Sequence, residues 1–275
     1  MVRLLNNSDV PVVKQYLEKN HMATTFLSGN LDKFGIENDK ISRRCGDYYG
    51  YFEEGKLKGV LTFFNLGSVM PHFESSGAVN AFAEIMRQRK FEVVAGMKYV
   101  VEPLFQAVVQ HKKVLAYEDS YYFVNNKFNP YTMQCDGLIA DAEQVDRSLA
   151  IDFVVEAYRQ GFRRRFNREM AAKMLDERAA GEDFIFLLTD GKPRAQAAIQ
   201  VITSRIKQIG GVYTSEDSRG RGYCKALVSE LCRRIIASGK TPTLMSRKDN
   251  IPAVKAYQAV GFEYFDDYLM VKFVI

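Results

Sequence analysis

The chain has 275 residues, 47% of them apolar and 26% charged, a globular composition with material for two domains of ordinary size. Lys and Arg number 38 against 33 Asp and Glu, so the net charge is +5; without a long basic run this suits anionic ligands but argues against a nucleic-acid partner, and no apolar run approaches the ~20 residues of a membrane span. The four cysteines Cys45, Cys135, Cys224 and Cys232 form no CxxC pair and have no histidine at metal spacing, so no metal is expected and free thiols in the cytoplasm are.

The opening MVRLLNNSDVPVV has no signal pattern. NNSDVPVVKQYLEKN reads as a helix: Ser8 or Asp9 can cap it, Pro11 suits its first turn, and Val12, Val13, Tyr16 and Leu17 share a face. DYYGYFEEGKLKGVLTFFNLG reads as strand, turn, strand about Glu54-Gly55. GAVNAFAEIMRQRK returns to helix with a stripe of Val79, Phe82, Ile85 and Met86. FEVVAGMKYV is short and β-rich, and YEDSYYFVNN reads as a further strand. NNKFNPYTMQCDG is polar and broken by Asn129-Pro130, which sets a boundary near Asn129 and domains of 1–128 and 129–275.

Beyond it the order repeats. EQVDRSLAIDFVVEAYRQGF is helical. NREMAAKMLDERAAGE is a second helix, with Asn167 as cap and Gly181 near its end. DFIFLLTDGKPRAQAAIQVITS is strand, turn, strand about Asp190-Gly191. Gly55-Lys56 and Gly191-Lys192 sit alike in the two hairpins, each after helix, and point to a duplicated fold.

RIKQIGGVYTS then reads as a strand. In GYCKALVSELCRRIIASGK, Cys224, Leu227, Val228, Leu231, Ile235 and Ile236 recur at helical spacing and Gly239 ends the run. Gly220 and Gly222 thus lie where a strand hands over to a helix N-terminus. Unpaired N–H groups and a partial positive charge collect there, glycines let backbone approach a bulky anion, and Arg219, Arg221 and Lys225 add charge. These features describe a phosphate site, set against a plain turn with a solvated basic face. It is not a Walker loop, since no Gly-Lys-Ser/Thr follows, nor a dinucleotide fingerprint, since Lys225 stands where the third glycine belongs. TPTLMS reads as a short strand and RKDNIPAVKAYQAVGFEYF as a helix and strand. Asn250 can cap that helix, Ala253, Ala256, Tyr257 and Val260 share a face, and Gly261 closes it.

VYTSEDSRGRGYCKALVSEL followed by LMSRKDNIPAVKAYQAVGF resembles the GNAT N-acetyltransferase superfamily. Its Arg/Gln-x-x-Gly-x-Gly/Ala pattern falls on Arg219, Gly222 and position 224. Its later motif falls on Asn250, Ala253, Tyr257, Gly261 and Phe262. The resemblance implies an α/β fold of two tandem GNAT-like domains, each with a mixed, mostly antiparallel sheet flanked by helices. It implies acetyl-CoA as co-substrate, with Val212, Tyr213 and Thr214 along the pantetheine arm. Arg219, Gly220, Arg221, Gly222, Tyr223, Cys224 and Lys225 would hold the pyrophosphate through backbone N–H groups. Asn250 and Ala253 would lie near the cofactor, and Tyr257 would be the general acid for the leaving thiolate. Two departures stand out. Position 224 is Cys, read as packing inward rather than as a thiol activated by the helix. QIGGVYT carries no carboxylate base; Glu216 and Asp217 are read as facing solvent, and Glu156 is a distant candidate.

The first half shows no counterpart of SRGRGY. SVMPHFESSGAVNAF has Gly77 but no flanking arginine, so this half is read as degenerate, shaping the acceptor side or an interface. His21, His72 and His111 receive no role. The expected function is acetyl transfer from acetyl-CoA to an amine of a small molecule or peptide. A coenzyme A-sensing module without turnover and a transferase using another acyl donor are the alternatives. No membrane partner is expected, and a homodimer stays open.

Overall fold

The computed structural model describes residues 1–133, 137–178 and 183–274. Cys135 and Gly181 fall outside them. The described chain forms two compact units: Met1–Tyr122 with Phe265–Ile275, and Phe123–Tyr264. The change of unit by contacts comes at Tyr122/Phe123, and the segment from Phe265 returns to the first unit.

In the first unit, β1 (Val2–Leu4) leads to α1 (Val10–Lys19) and α2 (Thr25–Phe34). Strands β2 (Gly46–Glu53), β3 (Lys56–Phe64) and β4 (Ser68–Phe73) follow, then α3 (Gly77–Gln88), β5 (Val93–Met97), α4 (Lys98–Val108) and β6 (Val114–Val124). The order then repeats along the chain: β7 (Leu138–Asp141), α5 (Arg147–Glu156), α6 (Arg168–Asp176), β8 (Phe184–Thr189), β9 (Lys192–Ile202) and β10 (Ile206–Thr214). Then come α7 (Tyr223–Ala237), β11 (Thr241–Arg247), α8 (Ile251–Ala259) and β12 (Glu263–Phe273). Ten elements match one for one, so the order of elements is duplicated, as the two hairpins suggest.

Strand order in the first unit is β1-β2-β3-β4-β5-β12-β6, and in the second β11-β10-β9-β8-β7. β12 does not close the sheet of its own half but pairs antiparallel with β5, from Tyr268↔Met97 to Lys272↔Val93. In each unit one pair runs parallel, β4 with β5 and β10 with β11, while the hairpin pairs β2–β3, β3–β4, β8–β9 and β9–β10 are antiparallel.

Helices cover both faces of the second sheet, which is why FIFLL reads as a continuous apolar run rather than an alternation. Phe153, Val154 and Ala171 pack on one face against Phe184, Phe186 and Ala198. In α7, Leu227, Leu231 and Ile235 are fully buried, whereas Ile236, placed in the same stripe by spacing, is 42% exposed. Val12 is likewise exposed, while Val13, Tyr16 and Leu17 enter the first unit's core.

Helix α4 has no counterpart among the sequence expectations. FEVVAGMKYV reads as one β-rich piece, yet the strand stops at Met97 and the helix begins at Lys98. Its β-branched Val100 and Val101 and its internal Pro103 weaken the helical signal, but burial of Val100, Val101 and Leu104 outweighs propensity. Helix α2, with Gly29 mid-run, escapes the pattern for the same reason and is held by Leu27 and Leu31 in the core.

Candidate active site

The parallel pair of the second unit is short. β10 and β11 pair from Ile206↔Thr241 to Ile209↔Leu244 and then part. The cause lies in QIGGVYT. Between Gly210↔Ala198 and Tyr213↔Gln196, two β10 residues, Gly211 and Val212, face a single β9 residue. This is a β-bulge, and Gly211 takes a φ of +62° that an L side chain rarely adopts. A side chain at Gly210 would collide with the Gln200 carboxamide. The bulge directly follows the last β10–β11 pair, so the facing edges of the two strands run on without pairing to each other, the kind of edge an extended ligand joins as an added strand.

Beyond Thr214 the chain makes a one-turn 3-10 helix, Glu216–Ser218, and enters α7. Asp217 organises this turn: its Oδ1 accepts from Ser215 Oγ at 2.7 Å and from Ser218 Oγ at 2.9 Å. Those bonds hold its carboxyl below the usual range, so Asp217 is spent on loop structure. Glu216 is exposed and stands 3.8 Å from Arg219.

Gly220 and Gly222 have φ of +80° and +83°. Gly222 is the N-cap residue of α7 and supplies no capping side chain. By contrast Asp146, Asn167 and Asn250 cap α5, α6 and α8 through their side chains. The amides of Tyr223, Cys224 and Lys225 therefore open the helix with no side chain capping them. Arg219 and Arg221 are exposed beside them, whereas the Tyr223 side chain is 3% exposed and only its main chain can meet a ligand.

Tyr131, which sequence reasoning passed over as linker, lies on this turn. Its hydroxyl occupies the space a side chain at Gly222 would fill. Its ring lies 4.3 Å from the Lys225 ammonium, and its backbone N–H donates to Ser229 Oγ at 2.9 Å. A cavity of about 840 Å³ flanks the loop, with Arg194, Ser218, Arg221 and Tyr223 in its wall.

Cys224 and Tyr257 face each other electrostatically beneath the α7 entry. Cys224 is half-buried, and burial pushes its thiol up to about 12. Tyr257 is 6% exposed and packs edge-on against Phe262 at 6.2 Å. Burial raises its hydroxyl well above the ordinary value, and that hydroxyl has no hydrogen-bond partner among the described residues. Asn250 Oδ1 accepts from Ala253 N at 3.4 Å, and Gly261, with φ of +97°, ends α8 where a side chain would strike Lys127 O.

Tyr213 turns its side chain away from α7 into the core with Phe153. Its hydroxyl donates to Glu156 Oε1 at 3.0 Å, and Gln160 lies 3.2 Å from the same oxygen. Burial first, and then the bond to Glu156, push the phenol up to about 12. Glu156 ends α5 and is followed by a π-helical turn, Ala157–Gly161. Such turns are frequent at functional sites. Glu156, distant in sequence, is thus joined to the end of β10 through Tyr213.

The first unit shows the same parting strands. β4 and β5 pair only at Ser68↔Val93 and Val69↔Val94. The corresponding turn carries acid instead of arginine. Glu53 accepts from Ser75 Oγ at 2.5 Å, and Tyr51 and Glu53 fill the space beside Gly77. Met70, Pro71, Gly96, Tyr122 and Tyr268 close round the parting strands. Cys45, Cys224 and Cys232 are free, and no group of metal-ligating side chains occurs among the described residues.

Parting parallel strands, a bulge and a glycine-led helix entry fit a GNAT-like fold. Residues 188–271 match the family model described as FR47-like protein, so the chain carries an FR47-like, GNAT-related domain there. Among solved structures, the chain is similar to a GCN5-related N-acetyltransferase from Sphaerobacter thermophilus at 14% identity and TM-score 0.66, over 98% of this chain and 94% of that one. It is similar to an acetyltransferase from the GNAT family of Colwellia psychrerythraea at 15% and 0.58, over 100% of both chains. It is also similar to a tandem GNAT protein from the clavulanic acid biosynthesis pathway at 12% and 0.60, over 98% and 97%. A search of curated protein sequences finds no match.

Proposed function

We propose that the protein transfers an acetyl group from acetyl-CoA to an amine, with donor chemistry confined to the second unit. The observation that carries this reading is the parting of β10 from β11 after Ile209↔Leu244, directly before the glycine-led, uncapped entry to α7. The pantetheine arm lies along Val212, Tyr213 and Thr214. The pyrophosphate is held by main-chain N–H groups from Arg219 to Lys225, with Asn250 and Ala253 near it. The amine attacks the thioester carbonyl; a C–N bond forms as the C–S bond breaks, and charge on the carbonyl oxygen is met by an N–H of β10. Tyr257 gives the departing thiolate its proton. Glu156, reached through Tyr213, accepts the proton that the amine loses, directly or through water.

The first unit takes no coenzyme A on this reading, because Glu53 and Glu74 stand where the arginines would be needed. Among the described residues no helix is long and apolar enough to cross a membrane; with the free cysteines this supports a cytoplasmic site of action. A second reading, coenzyme A binding without turnover, is favoured by the depth of Tyr257, whose hydroxyl holds its proton tightly.

Calorimetry with acetyl-CoA, against ADP and pantetheine separately, tests the donor site. Tight binding that needs both parts of the molecule supports it. No binding by the wild-type chain removes it. Acetylation of an amine panel then separates the two readings.

A further inference from the structure

The donor reading leaves one charged feature unused. Residues 157–168, AYRQGFRRRFNR, hold five arginines and no acidic residue. Two are engaged: Arg159 Nε donates to Phe166 O at 2.9 Å, and Arg168 pairs with Asp152. Arg163, Arg164 and Arg165 are exposed, and their guanidinium groups make no hydrogen bond or ion pair among the described residues.

The backbone beneath them is fixed nonetheless. Phe162 N donates to Ala157 O at 3.1 Å and Arg164 N to Tyr158 O at 2.9 Å. Tyr158 stacks on Phe166 at 4.0 Å. Arg163 takes a φ of +51°, uncommon for a side-chain-bearing residue. Three like charges are thus held together around a concavity of about 630 Å³, whose wall also includes Phe166 and Asn167. Such crowding is unfavourable in the absence of an anion.

A side chain at Gly161 would lie 2.5 Å from the Tyr213 ring, so the π-helical turn packs tightly on the end of β10. Just past β11, the Asp249 carboxyl is held low first by its bond to Arg247, with a smaller contribution from Arg163. The run therefore adjoins the end of β10, with Arg163 in electrostatic reach of the carboxyl just past β11.

We propose that Arg163, Arg164 and Arg165 bind a carboxylate or phosphate group carried by the acceptor amine. This rests on the acetyl-transfer reading above. Guanidinium forks match those two anions in shape. The same positive field lowers the pKa of a nearby ammonium and favours the neutral, nucleophilic amine.

The test uses the full chain and a triple variant, R163Q/R164Q/R165Q. Arginine Nε–Hε resonances are followed while inorganic pyrophosphate or glutarate is added, with and without saturating acetyl-CoA. Saturable shifts of Arg163, Arg164 and Arg165 are expected in the wild type. They vanish in the variant, whose acetyl-CoA affinity stays within two-fold. With O-phosphoethanolamine against ethanolamine, the wild type favours the anionic amine at least ten-fold in kcat/KM, and the variant loses that preference. Linear shifts, or saturable shifts confined to Arg219 and Arg221, would overturn the assignment. So would tight binding of a single-stranded RNA that the triple variant abolishes. If acetyl-CoA fails to bind the wild type, the donor reading fails instead, and the anion titration still decides the arginine site.

Discussion

Substitution at Gly222 separates charge from strain in the proposed donor loop. Gly222 has a φ of +83°, and the Tyr131 hydroxyl occupies the space a new side chain would take. Any L residue there costs about 1–2 kcal/mol in backbone strain, and the Tyr131 ring must move. Asp tolerates the left-handed region better than Ala, so strain alone ranks Gly222→Ala as the worse change. The loop's function ranks them oppositely. A carboxylate beside the α7 entry competes for the same amides and repels a pyrophosphate. Losing one or two hydrogen bonds to a charged group, at about 1.5–3 kcal/mol each, costs acetyl-CoA affinity roughly ten-fold to 10⁴-fold. Calorimetry on Gly222→Asp and Gly222→Ala, with thermal melts of both, measures the two effects apart. Expected is a larger melting loss for Ala and a far larger affinity loss for Asp. If Gly222→Asp binds acetyl-CoA within a few-fold of wild type, the loop does not hold the pyrophosphate.

Three further outcomes follow from named groups. Tyr257→Phe removes a buried hydroxyl that has no partner among the described residues; it should leave the melting temperature unchanged or higher, keep acetyl-CoA affinity, and cut turnover, and an unchanged rate removes Tyr257 from the chemistry. Glu156→Gln should lower kcat/KM by about 100-fold or more; an unchanged kcat/KM assigns Glu156 to holding Tyr213 alone. His72 is buried and lies 2.7 Å from the Tyr16 hydroxyl, with Glu74 and Lys19 nearby. Burial lowers its pKa from 6.5 to about 4, and at 1.36 kcal/mol per unit this gap is worth about 3 kcal/mol. Because the folded pKa is depressed, that stability is complete above pH 6.5 and is lost as pH falls toward 4. Urea titrations of wild type and His72→Asn should show the slope in the first and its absence in the second; parallel curves would contradict it.

The helix ends of the second unit are the most legible part of the chain, because Gly220, Gly222, Asn250 and Gly261 act through local backbone geometry that residue type announces. The bulge was legible in principle: paired glycines inside a strand, Gly210-Gly211, signal a close approach or a bulge. Three features were not. Helix α4 depends on burial that overrides Pro103 and two valines. Tyr131 reaches Gly222 across 91 residues of sequence, and no local pattern records that. Glu156 meets Tyr213 across 57 residues of sequence, a tertiary contact that apolar periodicity cannot show.

The placement of β12 has a consequence for synthesis. The second unit is contiguous, Phe123–Tyr264. The first has β12 in its sheet between β5 and β6. On the ribosome Met1–Tyr122 emerges early, but Phe265 is made 143 residues after Tyr122. At translation rates of about 5–20 residues per second, that delay is roughly ten to thirty seconds. Throughout it, β5 and β6 lack the strand that belongs between them, and their unpaired edges are open to nascent-chain binders or to misjoining. The half that is translated first is the half that completes its fold last.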